Sequence, residues 1–271
     1  MAIKRGGIIM NFDYVSDLHL NFYIGNEKPF SNVQDLVKTT IAPKVKSEVI
    51  VIAGDINESV DRLSEFLYCL SKYYKQIIFI AGNHEYYIPY IKYIMGKEEA
   101  EKYNYVSLNK IEEINNNFKD NKNITFLDRS NGGICTYNGF KIAGDTLWYR
   151  PSSLVDWLYY SGQNDKNFIL SDLSNREKIL KMNEDSISWY NGLPNDLDLI
   201  VTHVPPIKNR ENGKGNNCCY YTNVDTFKSK IWIYGHDHKE NDYEQDGTRF
   251  ISNPWGYNTR NYKIKTLTIK K

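Results

Sequence analysis

The chain of 271 residues contains only five histidines, and two of them flank one aspartate in the segment Gly235-His236-Asp237-His238. The other three are His19, His84 and His203. Imidazole together with carboxylate suits zinc, manganese, iron and similar cations. These residue types therefore favour a metal site of mixed nitrogen and oxygen ligands.

Every histidine lies at or just after the end of a predicted strand. The strands end in Ser16-Asp17-Leu18-His19, Ala53-Gly54-Asp55, Ala81-Gly82-Asn83-His84-Glu85, Thr202-His203 and Gly235-His236-Asp237-His238. In open α/β sheets, ligands bind at the carboxyl ends of the strands. Two divalent ions about 3.5–4 Å apart need a bridging carboxylate and a mixed shell of this kind. Glycines 54, 82 and 235 let the backbone turn sharply and come close to such ions.

The elements that carry these residues alternate between short apolar runs and amphipathic segments, which is typical of a layered α/β protein. Strands are predicted at 8–15 and 124–128, buried strands at 48–53, 76–81, 196–203 and 230–236, and helices at 58–74, 97–119 and 174–193. Asn138-Gly139 within 133–144 and Asp246-Gly247 predict hairpin turns, and 262–270 predicts a last strand. Ser174 is the predicted N-cap of its helix, and Gly192 its end.

Composition limits the classes of protein to which the chain can belong. The 34 basic and 33 acidic residues give a net charge of +1, so nucleic-acid binding is not indicated, although a local basic patch is compatible with it. No segment has the length of a membrane span. The four cysteines, Cys69, Cys135, Cys218 and Cys219, form no C-x-x-C pair. With no disulfide framework and no signal peptide, we expect a cytoplasmic protein.

No repeat or linker divides the chain, so we expect a single domain over residues 1–271. Residues 1–9 are a candidate upstream extension, with translation starting at Met10, because Lys4-Arg5-Gly6-Gly7 reads like a translated ribosome-binding sequence. An intact mass of the native protein tests this expectation.

The ordered motifs resemble those of the calcineurin-like metallophosphoesterases. They are Asp17-Leu18-His19, Gly54-Asp55, Gly82-Asn83-His84-Glu85, His203 and Gly235-His236-Asp237-His238. The segments "SDLHL", "DTLW" (145–148) and "SNPWGYN" (252–258) are similar to a bacterial and phage branch of the family whose substrates are largely uncharacterised. The resemblance implies a four-layer α-β-β-α sandwich in which helices flank two mixed sheets.

The resemblance also implies roles for particular residues and two divalent metal ions, drawn from Mn, Fe, Zn, Ni or Co. Asp17, His19 and His238 would bind one ion, and Asn83, His203 and His236 the other, with Asp55 bridging. A hydroxide on the two ions would attack phosphorus. His84 would protonate the leaving oxygen or stabilise the transition state, and Glu85 is expected to orient His84.

For other polar residues near the motifs, the sequence indicates a role in metal or substrate binding less strongly. Asp145 stands in an Ala-Gly-Asp sequence like that of Asp55, but no histidine follows it, so we expect a structural or substrate-facing role. Asp237, between two expected ligands on an extended segment, should face away from the metals. Arg150 and Arg210 are candidate phosphate clamps. The substrate is expected to be a phosphate ester, and a nucleotide is one candidate.

The resemblance predicts a phosphomonoesterase or phosphodiesterase, and the sequence disfavours three other functions. A protein phosphatase is disfavoured, because Ala81 and the sequence GDINESVDR stand where that branch has an arginine and an Asp-Arg-Gly. A repair nuclease is disfavoured by the chain's length and charge. A non-catalytic scaffold with this fold is disfavoured because every expected ligand, and His84, is retained.

Overall fold

Two β-sheets form the centre of the computed structural model, which describes residues 8–88, 107–208, 217–257 and 262–271. The first sheet contains, in spatial order, Lys265–Lys270 (β11), Ile9–Val15 (β1), Val49–Ala53 (β2), Gln76–Ile80 (β3) and Ile124–Leu127 (β4). Strands β1 to β4 are parallel, and β11 pairs antiparallel with β1. The carboxyl ends of β1, β2 and β3 therefore lie at one edge.

The second sheet contains Ile134–Tyr137 (β5), Phe140–Asp145 (β6), Leu199–Thr202 (β7), Ile231–Tyr234 (β8), Thr248–Ser252 (β10) and Asn241–Gln245 (β9). Strands β6, β7, β8 and β10 are parallel, and the two outer strands are antiparallel to their neighbours. Both sheets are mixed, as expected.

Helices cover the outer faces of both sheets. They are Val33–Leu36 (α1), Val60–Leu70 (α2), Ser107–Phe118 (α3), Leu154–Ser161 (α4), Asn164–Phe168 (α5) and Asn175–Gly192 (α6). Side chains of α2 and α3 pack on the outer face of the first sheet, against Ile50, Ile52 and Phe79. Tyr190 of α6 packs on the second sheet, against Ile200 and Trp232. The four-layer α-β-β-α sandwich is confirmed.

Side chains alternate between the two faces of each strand, and here both faces are covered. The central strands therefore read as continuous apolar runs. In β2, Ile50 and Ile52 face the helices, whereas Val49, Val51 and Ala53 face the second sheet. Each of these valine and isoleucine side chains contributes roughly 1.5–3 kcal/mol through its burial. A strand with both faces covered carries few polar residues, so polar side chains concentrate near its ends.

Local signals placed several elements correctly. Asn138 and Gly139 have φ values of 47° and 84°, and Asp246 and Gly247 have values of 49° and 76°, as two-residue hairpins with positive φ at both positions require. Ser174 caps α6 through a reciprocal pair of hydrogen bonds with Glu177. Of the helix expected at 97–119, residues 107–118 are helical, and 97–106 lie outside the described residues.

Within the described ranges, no helix is long and apolar enough to cross a bilayer.

Candidate metal centre

The loops that follow five strands from both sheets meet at one edge of the sandwich. The backbone N–H groups of Asp17 and His19 donate to Gly54 O (3.0 Å) and Asp55 O (2.9 Å), which joins the loops after β1 and β2. Gly235 N donates to His203 O (3.0 Å), which joins the loops after β8 and β7. All seven expected metal ligands lie in the loops at this edge.

Asp17, His19 and His238 form one group, which we call the acidic half. His19 Nε2 lies 3.0 Å from His238 Nε2, and His238 Nε2 lies 3.3 Å from Asp17 Oδ1. Asp17 and His19 are buried, whereas the His238 side chain is 19% exposed. Single donor atoms of these three residues and of Asp55 all lie within 4.8 Å of one another.

Asn83, His203 and His236 form a second group, which we call the amide half. Asn83 Oδ1 lies 2.9 Å from His203 Nε2 and 3.2 Å from His236 Nδ1. The other ring nitrogen of each histidine lies near a backbone carbonyl: His203 Nδ1 is 2.9 Å from Ala53 O, and His236 Nε2 is 2.8 Å from Cys219 O. These contacts fix which ring nitrogen faces the centre of the group.

Asp55 lies between the two halves. Its Oδ2 atom is 3.6 Å from His19 Nε2 and 3.3 Å from His203 Nε2. Its Oδ1 atom accepts a hydrogen bond of 2.9 Å from the backbone N–H of His84. One carboxylate oxygen is thus held by the protein, and the other is directed at donor groups of both halves.

One further observation indicates that these ligand residues fit a divalent cation. Asp17 Oδ2 is buried and has no hydrogen-bond partner in the described part of the chain. An ionised oxygen left in that state is costly unless a cation compensates it. The oxygen belongs to the acidic half, so a cation there would satisfy it.

Burial and mutual charge set the protonation of these groups. Burial lowers the pKa of His19 to about 3 and that of His236 to about 4, so both rings are neutral at pH 7. Burial also opposes protonation of His203, but the Asp55 carboxylate raises the pKa of His203 to about 10. Although burial opposes ionisation of Asp17 and Asp55, the neighbouring histidines keep the pKa of each below its usual value. The two carboxylates are therefore ionised, as metal binding requires.

Five of the seven residues have a left-handed backbone. Their φ values lie between 42° and 73°, and they are Asp17, His19, Asp55, His236 and His238. Such conformations cost on the order of 1–3 kcal/mol each and collect at functional sites. The expectation that residues 236–238 are extended is wrong: the chain turns at both histidines, which directs them into different halves.

Gly82 and Gly235 permit the close approach of backbone and side chains. A Cβ atom on Gly82 would lie 2.1 Å from Asp55 Oδ1, and one on Gly235 would lie 2.6 Å from Asp17 Oδ2. Any larger residue at either position would displace a carboxylate of the site, which explains these two glycines of the motifs.

His84 lies against the site, but its partner differs from the expected one. His84 Nδ1 is 3.0 Å from Glu58 Oε1, and His84 Nε2 is 3.9 Å from Asp55 Oδ2. The Glu85 carboxylate instead accepts from the backbone N–H groups of Gly82, Asp55, Ile56 and Asn57, at 2.7–2.9 Å. The expectation that Glu85 orients His84 is therefore corrected: Glu58 contacts the ring, and Glu85 ties the loops after β2 and β3 together.

Asp165 belongs to the site, although no sequence motif pointed to it. Its buried carboxylate accepts from Asn83 Nδ2 (2.8 Å), Tyr87 Oη (2.5 Å) and Tyr149 Oη (2.6 Å). Because the Asn83 amide donates to Asp165, its oxygen faces His203 and His236. Asp165 is separated from Asn83 by 82 residues, so no local motif could reveal the contact.

The remaining candidates lie elsewhere or have other partners. Asp145 accepts from Arg129, Leu147 and Ser186, which is a structural role. Asp237 accepts from Lys239 N within its own turn. Arg150 pairs with Glu184 and lines a cavity of about 680 Å³ to which none of the seven residues contributes, so its position does not support the phosphate-clamp role. Arg210 lies outside the described residues.

Comparison with known proteins gave consistent matches. The family model for calcineurin-like phosphoesterases matches residues 10–240. An uncharacterised protein of Acanthamoeba polyphaga mimivirus is 27% identical over 273 residues, with 90% of each chain covered. The fold is similar to that of a phosphopantetheinyl hydrolase from Mycobacterium tuberculosis, with a TM-score of 0.60, 17% identity and 95% of each chain covered.

Proposed function

The chain belongs to the calcineurin-like phosphoesterase family, and we propose that it hydrolyses a phosphate ester at a centre of two divalent metal ions. The acidic half would hold one ion and the amide half the other. The observation that carries the proposal is the position of Asp55, whose Oδ2 atom lies within 3.6 Å of an imidazole nitrogen of each half. A carboxylate in that position is suited to bridge two cations.

Divalent cations bound there supply Lewis-acid chemistry: they neutralise charge on phosphoryl oxygens and make water more acidic. The protein holds their ligands in place. Glu85 fixes the two loops that carry Asp55 and Asn83, and Asp165 fixes the Asn83 amide. Such supporting partners orient ligands before the cation arrives.

Among the described residues, His84 is the group best placed to move a proton. Its Nδ1 atom is engaged by Glu58, which leaves Nε2 on the side of Asp55. Burial opposes the imidazolium form, but Asp55 and Glu58 raise the pKa of His84 above its ordinary value. A protonated His84 can donate from Nε2 to the leaving oxygen, as a general acid does.

Metal content and ester hydrolysis together test the proposal. Protein purified without chelators is analysed for metals, then assayed on p-nitrophenyl phosphate and on its bis ester with Mn²⁺, Ni²⁺ or Zn²⁺. We expect bound metal and cleavage of at least one ester, abolished by EDTA and restored by the added ion. A protein that binds metal but cleaves neither ester would favour a binding role, and one that binds no metal would overturn the proposal.

A further inference from the structure

The segment Ser252-Asn253-Pro254-Trp255-Gly256-Tyr257 reaches the metal centre, although the roles proposed above do not use it. It continues from β10 of the second sheet and runs beside the end of β1 in the first. Ser16 and Pro254 form an isolated parallel bridge, Trp255 N donates to Ser16 O (3.0 Å) and Gly256 N donates to Asp17 O (3.0 Å). The segment thus connects the two sheets at the edge where the site lies.

Several contacts fix the end of this segment. Asn253 Nδ2 donates to Tyr14 O and Lys263 O, and Tyr23 Oη donates to Gly256 O (2.5 Å). Gly256 has φ of +71°, a conformation that residues with a Cβ rarely adopt. The turn at Gly256 directs the chain so that the next side chain, Tyr257, lies over the metal centre.

Tyr257 contacts histidines of the acidic half and the proposed acid. Its ring centroid lies 4.5 Å from that of His19 and 4.6 Å from that of His238. Its hydroxyl lies 3.4 Å from His84 Nε2, the nitrogen that faces the proposed reaction. A substrate whose phosphate reaches His84 Nε2 would therefore lie close to Tyr257.

Phe22 extends this aromatic surface away from His84. Its ring centroid lies 4.8 Å from that of Tyr257 and 6.2 Å from that of His19. Within the described part of the chain, Phe22 is 43% exposed and Tyr257 is 40% exposed. Two large aromatic rings that lie side by side and are partly exposed beside a proposed catalytic centre are suited to stack on a planar group.

We propose that Phe22 and Tyr257 form a stacking surface for the base of a nucleoside phosphate, whose phosphate lies at the metal centre. The proposal rests on the proposed function and names the substrate class of the same site. Stacking is sequence-tolerant because every base presents a π face, so the surface selects for the presence of a base rather than for its identity. Phe22 is the better residue to test, because it does not contact His84.

Adenosine 5′-monophosphate and ribose 5-phosphate are a matched pair of probes, because they share the phosphate and the sugar and differ in the base. Their dissociation constants are measured by calorimetry on the metal-loaded His84→Asn protein, in which the lost proton donor slows turnover. Phe22→Ala and Phe22→Tyr are made in that background. Tyr73→Ala is the control, since Tyr73 is 40% exposed and precedes β3 at the opposite edge of the sheet.

We expect the adenosine phosphate to bind about 5- to 150-fold more tightly than the ribose phosphate, the range for stacking of one base. Phe22→Ala should remove most of that difference without changing the affinity for ribose phosphate, and Phe22→Tyr and Tyr73→Ala should preserve the difference. Equal affinities for the two phosphates, or a Phe22→Ala variant that weakens both equally, would overturn the proposal. Ester hydrolysis by the unmodified protein is measured separately, so failure of the proposed function is distinguished from failure of this inference.

Discussion

The two halves of the metal centre differ in how completely the protein fixes their donor groups. In the amide half, each side chain has a second partner: Asp165 for Asn83, Ala53 O for His203 and Cys219 O for His236. In the acidic half, Asp17 Oδ2 is buried with no hydrogen-bond partner among the described residues, and His238 is partly exposed. The protein itself completes the contacts of the amide half, whereas a cation would complete those of the acidic half.

This difference predicts how each half responds to metal. The ligands of the amide half are an amide and two imidazoles, and Asp55 supplies its negative charge. Its affinity for a metal ion should therefore depend on how well the protein preorganises these ligands. The acidic half contains the Asp17 carboxylate in addition to Asp55, so its affinity for a metal ion should depend on the negative charge of these two groups. Substitutions that remove a carboxylate ligand and those that remove a supporting contact should therefore affect different ions.

The largest effect is expected for Asp55→Asn, because Asp55 serves both halves. The substitution preserves size but removes the charge shared by the two ions. We expect loss of both bound ions, measured by elemental analysis after gel filtration, and activity below that of every other variant described here. Circular dichroism checks that the fold is retained. Retention of two tightly bound ions would show that Asp55 does not bridge.

His84→Asn should separate chemistry from metal binding, because His84 belongs to neither half. We expect turnover to fall by about 10²–10⁴, as for a lost general acid, with both ions retained. The measurement is kcat alongside the number of ions per chain. A loss of metal in this variant would mean that His84 is itself a ligand.

Asp165→Asn tests the supporting contact of the amide half alone. Loss of such a partner weakens metal binding by about 10- to 100-fold, and we expect that change for one ion only, measured by calorimetry. Asp156→Asn is the control, because Asp156 caps α4 and forms its hydrogen bonds with Ser152 and Ser153. Equal weakening of both ions would indicate a general structural defect instead.

Glu58→Gln should have the smallest effect. Glutamine retains an oxygen that can accept from His84 Nδ1, so the ring stays oriented, but the charge beside it is lost. We expect turnover to fall by about 10-fold, the lower end of the effect of an outer partner, with unchanged metal binding. A matching Glu85→Gln variant should instead lower thermal stability, because the Glu85 carboxylate accepts four backbone hydrogen bonds. An equal loss of turnover with no loss of stability would argue that Glu85 supports His84 after all.

The layered α/β class and the location of the site could be predicted from the residues for one physical reason, whereas the four-layer sandwich was implied by the family resemblance. Strands buried on both faces read as apolar runs, so the polar residues at their ends stand out. The pairing of β11 with β1 could not be predicted in this way, because paired residues such as Asp13 and Thr266 lie 253 residues apart along the chain. The roles of Glu58 and Asp165 could not be predicted either, because each depends on a contact with a residue distant in the sequence, His84 and Asn83 respectively. Neither residue belongs to a motif at a strand end.

The backbone conformation of the site could not be predicted from the sequence either. His236 and His238 alternate along the sequence as residues of an extended strand do, yet both have left-handed φ values. An extended segment would place both side chains on one face, whereas the turn at each residue directs them into the two halves. Strain of this kind depends on the surrounding contacts, such as the bond from His236 N to Asp17 Oδ1 (2.9 Å).

The number of divalent ions per chain tests the central claim most directly. Elemental analysis of manganese-loaded, gel-filtered protein should give two ions for the unmodified chain and one each for Asp17→Asn and Asn83→Ala, since each substitution removes a ligand from a different half. A single ion in the unmodified chain, or two ions retained in both variants, would contradict a centre built from these two halves.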